Sequence, residues 1–516
     1  MSRTMRPVIG VISALTLMGT LTMCTQDPGS DQEFTSPPPE FADPLTPSVV
    51  ISKMTGVHAL TDTMEPWRIE GTDLGIFWNG NDDAILTAFG DTFGRWGQDG
   101  GGGQEWRSNV LLRTSSLDPS EGIHFDSAVE DESGAAAELI PSMKLSGTQM
   151  TTIPTAGIAV GDRQYMAFMD VREWGDPGRW TTNFSRIAYS DDLGETWNHE
   201  DGPTWENTDA TDHPFQMVAF AQKDDNHVYM FGTPNGRAGT VSVARAASDS
   251  LLDKDAWEYW GGSEWSDDEF AVAPLFDNPA SELSVIYNRD LDRWILITLQ
   301  EADGLILRTA PEPTGPWSDW TLITEPVDHP TLYGGYIHPA SAEGNDIYFA
   351  LSEWRTYNVY LHRVTIDADG SVLRPNLVPD HNFEWQTDRE IGEPWTTSGE
   401  VRHDDIYGAA THFSGITNAR LESQGSEVAQ PIPVEPGAEY QASVFISAHN
   451  DGAEGEFGVR SCDGSVLAST TTSTIGVYER LIVDFAVGEC EWVEIYATST
   501  SDDPVLVDAF GLTMRP

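Results

Sequence analysis

The sequence predicts an all-β protein, a repeated-sheet domain followed by a second, smaller β domain. Three observations carry that expectation. Between Ser48 and Arg374 no long amphipathic helical pattern occurs. Short β-branched and aromatic runs alternate there with Gly, Pro, Asp and Asn, the punctuation of strands and turns. The runs also recur as a unit. An apolar strand and a polar turn precede a second strand rich in aromatics or Met, and a third strand follows after a loop.

Residues 1–24 read as an export signal. Arg3 and Arg6 precede the apolar run Val8–Leu21, which is short for a membrane span. The run ends in LTMC, which resembles a bacterial lipobox and makes Cys24 the expected lipidation site. Met23 departs from the small residue usual in that motif, so plain secretion with cleavage nearby stays open. The expected location is the outer face of the cell membrane, or the medium. Residues 25–47, rich in Pro, Ser, Asp and Glu, read as a disordered tether.

Residues 48–374 hold the repeats. The second strands are Ala84–Phe89, Gln164–Met169, His227–Phe231, Arg293–Leu299 and Asp346–Leu351. First strands precede them, among them Gly157–Val160, Gln216–Ala221, Leu283–Tyr287 and Tyr336–Ala340. Units of about 65 residues with four strands each predict a five-bladed β-propeller. Val49–Lys53 is placed to supply the outer strand that the last unit lacks. The segment Ser190–Trp197, SDDLGETW, matches the Asp-box of sialidase-like propellers and reads as a structural turn.

The first unit carries the chemistry. Leu74–Trp78 and Ala84–Phe89 flank the polar stretch Asn79–Asp83, a hairpin pattern. Folding it about Asp82 sets Asp73 opposite Asp91. Facing carboxylates repel, and a shared site raises the pKa of one of them. The pair reads either as strand-cap and turn residues or as the acid and base of glycoside hydrolysis. A propeller would aim other groups at the same funnel: Asp170 and Arg172, Glu301 and Glu353 from second-strand ends, His338 from a first-strand start. Trp106, Trp174, Trp180 and Trp354 lie in adjoining loops and suit sugar rings.

Composition bounds the partners. With 82 acidic and 28 basic residues the formal charge is −54, so nucleic acid and anionic lipid surfaces would be repelled. No zinc-ligand spacing such as CxxC or HExxH occurs, and no metal or organic cofactor is expected. Membrane contact is expected only through a lipid anchor, and the protein is expected to be a monomer.

GTDLG, FGDTFG, GGGGQEWRSNVLLRTS, IPTAGIAVGDRQYMAFMDVREWGDPGRWTTNFS, MFGTPNGR, ELSVIYNRDLDRW, LRTAPEPTGPWS and LYGGYIHP recur in order over Val49–Val364. This set resembles the bacterial domain of unknown function 4185, recognised as glycoside hydrolase family 183, the endo-D-arabinofuranases. The resemblance implies a five-bladed propeller that cleaves D-arabinan of arabinogalactan and lipoarabinomannan internally. Its paired aspartates fall on Asp73 and Asp91. Asp170, Arg172, Glu301, Glu353, His338, Trp174, Trp106 and Asn109 are expected to bind substrate or tune the pair. Asp73, at a strand start over the channel, is the expected base and Asp91 the acid. A propeller lectin without catalysis, a sialidase and an L-arabinanase remain alternatives. A sialidase would need an arginine cluster, for which Arg68, Arg172, Arg237 and Arg355 are the candidates.

Residues 375–516 read as an antiparallel β-sandwich. The opening NLVPDHNFE and closing VLVDAFGLTMRP resemble jelly-roll carbohydrate-binding modules. Glu384 and Asp508 are candidates for a structural calcium or for plain hydrogen bonding. Cys462 and Cys490, the even pair left if Cys24 is lipidated, are expected to form a disulfide. Removing everything after Arg374 is expected to spare hydrolysis of soluble oligosaccharides.

Overall fold

The computed structural model describes residues 46–80, 84–97, 102–223, 226–300, 303–404 and 413–516. The export signal with Cys24, the tether up to residue 45, the hairpin pivot Asp82 and Glu301 lie outside the described residues.

The described chain is all-β, in antiparallel sheets. Strand β1, Val49–Lys53, is held in reserve for the last repeat. The first sheet runs β2 (Leu74–Asn79), β3 (Ile85–Phe89), β4 (Val110–Thr114) and β5 (Ser127–Ala128). The second runs β6 (Thr151–Val160), β7 (Arg163–Trp174), β8 (Trp180–Ser190) and β9 (Thr204–Glu206). The third runs β10 (Met217–Ala221), β11 (His227–Thr233), β12 (Ser242–Ala247), β13 (Glu258–Trp260) and β14 (Trp265–Ser266). The fourth runs β15 (Ser281–Asn288), β16 (Arg293–Gln300), β17 (Gly304–Ala310) and β18 (Thr321–Thr324). In the fifth, β19 (Leu332–Ile337), β20 (Asp346–Glu353) and β21 (Asn358–Thr365) are completed by β1, which pairs with β21 as its position suggests.

The first four sheets are consecutive meanders, and the fifth is a three-strand meander closed by β1. The first strands are neighbours in order, β2 to β6, β6 to β10, β10 to β15, β15 to β19, and β19 back to β2. They surround a pocket of about 400 Å³, open to solvent, lined by Trp78, Gly157, Ala219, Val285 and Tyr336 and reaching Asn79 and Pro339. Strands β2, β3 and β10 are almost wholly buried, as strands packed on two sides must be, while β15 alternates buried and half-buried positions.

The Asp-box is a turn stapled by its own side chains. Asp192 Oδ1 accepts from the Thr196 amide at 2.9 Å, Ser190 Oγ accepts from the Gly194 amide at 2.9 Å, and Trp197 Nε1 donates to the Gly194 carbonyl at 3.0 Å. These bonds hold Trp197 against the main core.

After residue 395, two five-stranded antiparallel sheets share one core, with Val428, Phe457 and Ile495 from one sheet meeting Val444, Val507 and Leu512 from the other. Cys462 and Cys490 form the expected disulfide, with Cα atoms 5.8 Å apart. Glu384 and Asp508 spend their oxygens on backbone amides. Glu384 Oε1 accepts from Ile416 at 2.6 Å and Thr417 at 3.1 Å, and Asp508 accepts from Phe413, Ser414 and Ala509 at 2.7–3.0 Å.

Candidate active site

The hairpin between β2 and β3 keeps its expected register only in part. Phe77 faces Thr87 and Asn79 faces Ile85, as folding about Asp82 requires. A shift then falls between Leu74 and Ile76, where Gly75 has φ +85° and Leu74 φ +73°. A left-handed leucine costs of order 1–3 kcal/mol, and this one is held by its amide, which donates to Ser352 Oγ at 2.8 Å. The bulge corrects the cross-strand expectation. Asp73 lies beside Gly90, whose amide donates to its carbonyl at 3.2 Å, and Asp91 is one residue further along.

Gly90 makes that approach possible. A Cβ at this position would lie 2.4 Å from Asp73 Oδ1, inside the space the carboxyl group occupies. The Gly preceding Asp91 in FGDTFG is thus as much part of the site as the aspartate.

Asp73 Oδ2 accepts from Tyr333 at 2.9 Å and from Tyr357 at 3.0 Å. Its Oδ1 is buried without a hydrogen-bond partner among the described residues. Burial, and then the charge of Asp91, push this carboxyl up to about 8 against the pull of the two tyrosines. Asp91 Oδ1 accepts from Trp106 Nε1 at 2.8 Å and from Thr151 Oγ1 at 2.5 Å. Burial raises Asp91 too, only to about 6, because those two donors and Lys144 favour its charged form. Asp91 therefore ionises first, and its charge then opposes ionisation of Asp73. Burial and the Asp91 charge push Asp73 further towards its protonated form than Asp91.

The tyrosines come from positions the sequence reading passed over. That reading starts the fifth inner strand at Tyr336, but the strand begins at Leu332, which puts Tyr333 at the site end of the sheet. Tyr357 ends the β20–β21 loop with φ +50°, its carbonyl accepting from the Thr72 amide at 2.7 Å. Burial holds both phenols well above 10, so both stay donors.

Beside the carboxyl groups stands an aromatic wall. Trp96 stacks on Tyr357 with centroids 4.1 Å apart and planes 12° from parallel. Trp354 meets Tyr357 edge-on at 5.5 Å and Tyr333 at 6.3 Å, and half of its surface faces solvent. Phe93 links Trp96 to Trp106. Trp106 therefore has a double place, as a donor to Asp91 and as part of this wall.

The remaining expected residues divide. Asp170 is brought close: Thr151 holds Asp91, and Gln149, two residues earlier, donates to Asp170, which also accepts from Asn183 at 2.7 Å. Burial raises the Asp170 carboxyl. Arg172 sits at a register shift of the β7–β8 hairpin, and Trp174 lies at its exposed end, 5.7 Å from Trp180. Three others are corrected. Asn109 is fully buried, its amide bonded to the Ile140 and Thr152 carbonyls and its oxygen to the Leu139 and Ile140 amides. His338 lies past the far end of β19, edge-on to Phe77 at 4.8 Å, because the strand starts four residues before its expected start. Glu353 is buried away from the pair, accepting from Gly415 at 2.9 Å and lying 3.0 Å from His329 Nδ1.

The two buried carboxyl groups, with their phenol, indole and hydroxyl donors, thus lie beside an aromatic wall that reaches solvent at Trp354. The chain belongs to the family described as domain of unknown function DUF4185, whose model matches residues 58–363. It is 32% identical over 310 residues to notoamide biosynthesis cluster protein J of Aspergillus sp. (strain MF297-2), covering 56% of this chain and 80% of that protein. Protein J′ of Aspergillus versicolor is also 32% identical, over 308 residues, covering 56% of this chain and 82% of its own. Among solved structures, an exo-β-1,3-galactanase from Phanerochaete chrysosporium aligns with a TM-score of 0.38 at 10% identity, over 86% of this chain and 100% of that one.

Proposed function

We propose that this chain is an exported, endo-acting glycoside hydrolase that cleaves α-D-arabinofuranosyl linkages in cell-wall D-arabinan. The observation that carries the reading is the geometry of two buried carboxyl groups brought to one end of the β2–β3 hairpin, Asp73 held by Tyr333 and Tyr357 and Asp91 by Trp106 and Thr151. In this reading Asp73 donates its proton to the departing sugar oxygen, and ionised Asp91 activates water or attacks the anomeric carbon through an oxocarbenium-like transition state. Half-exposed Trp354, with Trp96 beside it, offers ring surface to the sugar chain.

The five-bladed propeller is part of the same proposal, supported by the closed succession of first strands around one cavity. So is a C-terminal β-sandwich module over residues 375–516, supported by the shared core of its two sheets. Membrane tethering through Cys24 rests on LTMC.

A second reading has one observation in its favour. The two fungal relatives are named for a notoamide biosynthesis cluster, which suits the same acid–base pair acting on a small molecule. Digestion of purified arabinogalactan separates the two. A ladder of D-arabino-oligosaccharides supports the hydrolase, and intact polymer after exhaustive digestion overturns it.

A further inference from the structure

We propose that Arg237 and Glu282 form a sugar-hydroxyl subsite next to Asp73, binding the vicinal hydroxyls of an unsubstituted furanose ring at the cleavage point. The proposal rests on the arabinan reading and adds its substrate-positioning residues.

The two side chains come from different sheets and converge at the end of the molecule that holds the carboxyl pair. Glu282 is the second residue of β15, one strand-start removed from Tyr333 on β19, and Arg237 follows β11. Arg237 Nη2 donates to Glu282 Oε1 at 2.8 Å, and Nε lies 3.3 Å from both carboxylate oxygens. The guanidinium carbon lies 6.0 Å from the Trp180 ring centre and 5.9 Å from that of Tyr333, the residue that hydrogen-bonds Asp73. The Arg237 amide also donates to the Gly178 carbonyl at 3.1 Å, tying the ion pair to the tip of the long β7–β8 hairpin.

Neither member is sealed in: 18% of the Arg237 side chain and 10% of the Glu282 side chain reach solvent. A mostly buried ion pair is weak evidence of a stability role, because desolvation offsets much of its attraction. A guanidinium fork and a carboxylate held in register present donors and acceptors at the spacing of two neighbouring hydroxyls. Glu282 also adds its field to Asp73 and Tyr333, so a ligand engaging it would be sensed at the proton donor.

The test uses the full chain carrying Asp91→Asn, which holds substrate without turning it over. Calorimetry with a defined linear D-arabino-oligosaccharide is run on this parent and on derivatives that add Arg237→Lys or Glu282→Gln. Both added changes are expected to weaken binding at least tenfold while thermal unfolding stays cooperative. In the active enzyme, Glu282→Gln is expected to raise KM more than it lowers kcat and to move the alkaline limb of the rate profile to lower pH, since a charge opposing Asp73 ionisation is gone. Affinity within twofold of the parent in both derivatives overturns the subsite. Failure of the Asp91→Asn parent to bind the oligosaccharide overturns the arabinan reading instead.

Discussion

Tyr357 donates its hydroxyl to Asp73 Oδ2 at 3.0 Å from a left-handed backbone position, φ +50°. The strained residue belongs to the short loop between β20 and β21, and Trp96 stacks on its ring. An unfavourable backbone conformation is thus used to aim one phenol at one carboxyl group. Tyr357→Phe removes a bond that favours ionised Asp73. The alkaline limb should move up by up to about one pH unit, the equivalent of about 1 kcal/mol, and turnover should fall about tenfold. A pH–rate profile of the variant checks both.

The same carboxyl group is a burden on stability. Its folded pKa of about 8 lies above the ordinary 3.8, so the folded state binds a proton that the unfolded state has released between these values. Its contribution to stability is fully present below about pH 4 and is lost as pH rises towards 8. Asp73→Asn, which mimics the protonated form, should therefore match wild type near pH 4 and be more stable at pH 8 by up to about 5 kcal/mol. Denaturant titration at the two pH values measures this, and equal offsets at both would contradict it.

Gly90→Ala tests the close approach of the two strands. The added methyl would fall 2.4 Å from Asp73 Oδ1, and backbone holds it there. Activity should drop at least a hundredfold with the overall β-sheet content kept, as read by far-UV circular dichroism alongside turnover. Gly97→Ala, in the neighbouring loop, is not an equivalent control because its Cβ would meet the Gly102 carbonyl at 2.8 Å. Gly134, where a Cβ meets nothing within 4 Å, is the better comparison despite its φ of +80°.

Truncation after Arg374 should not be silent, contrary to the sequence-based expectation. Trp385 Nε1 donates to Asp328 Oδ1 at 2.6 Å, Gly415 donates to Glu353, and Val50 shares a buried cluster with Phe413, Phe445 and Tyr478. Cutting there exposes Val50 and leaves Glu353 without its backbone donor, each a change of about 1–3 kcal/mol. The truncated chain should melt well below the full one. An unchanged melting temperature and rate would show the two parts to be independent.

Much of this site was legible in the sequence, and the reasons for the rest are local. The strand order followed from alternating apolar runs and turn residues, and GTDLG with FGDTFG pointed at the two aspartates. The offset between them did not, because one bulge at Gly75 moves Asp73 by a residue without altering the strand pattern. A misplaced strand start, Tyr336 for Leu332, sent the reading to His338 and past Tyr333. Glu353 and Asn109 look like site residues by position, but both are buried and spend their polar atoms on backbone groups inside the protein. Arg237 and Glu282 meet only across two sheets, which no spacing in the chain reveals.

The most direct measurement is turnover of purified D-arabinan by Asp73→Asn and Asp91→Asn beside wild type, over pH 4 to 10. A bell-shaped wild-type profile is expected, its limbs near 6 and 8 set by the coupled ionisation of Asp91 and Asp73. Each variant should keep its fold and lose activity by at least about a thousandfold if both carboxyl groups take part in the proposed hydrolysis. Near-normal turnover by either variant would contradict the assignment of the pair.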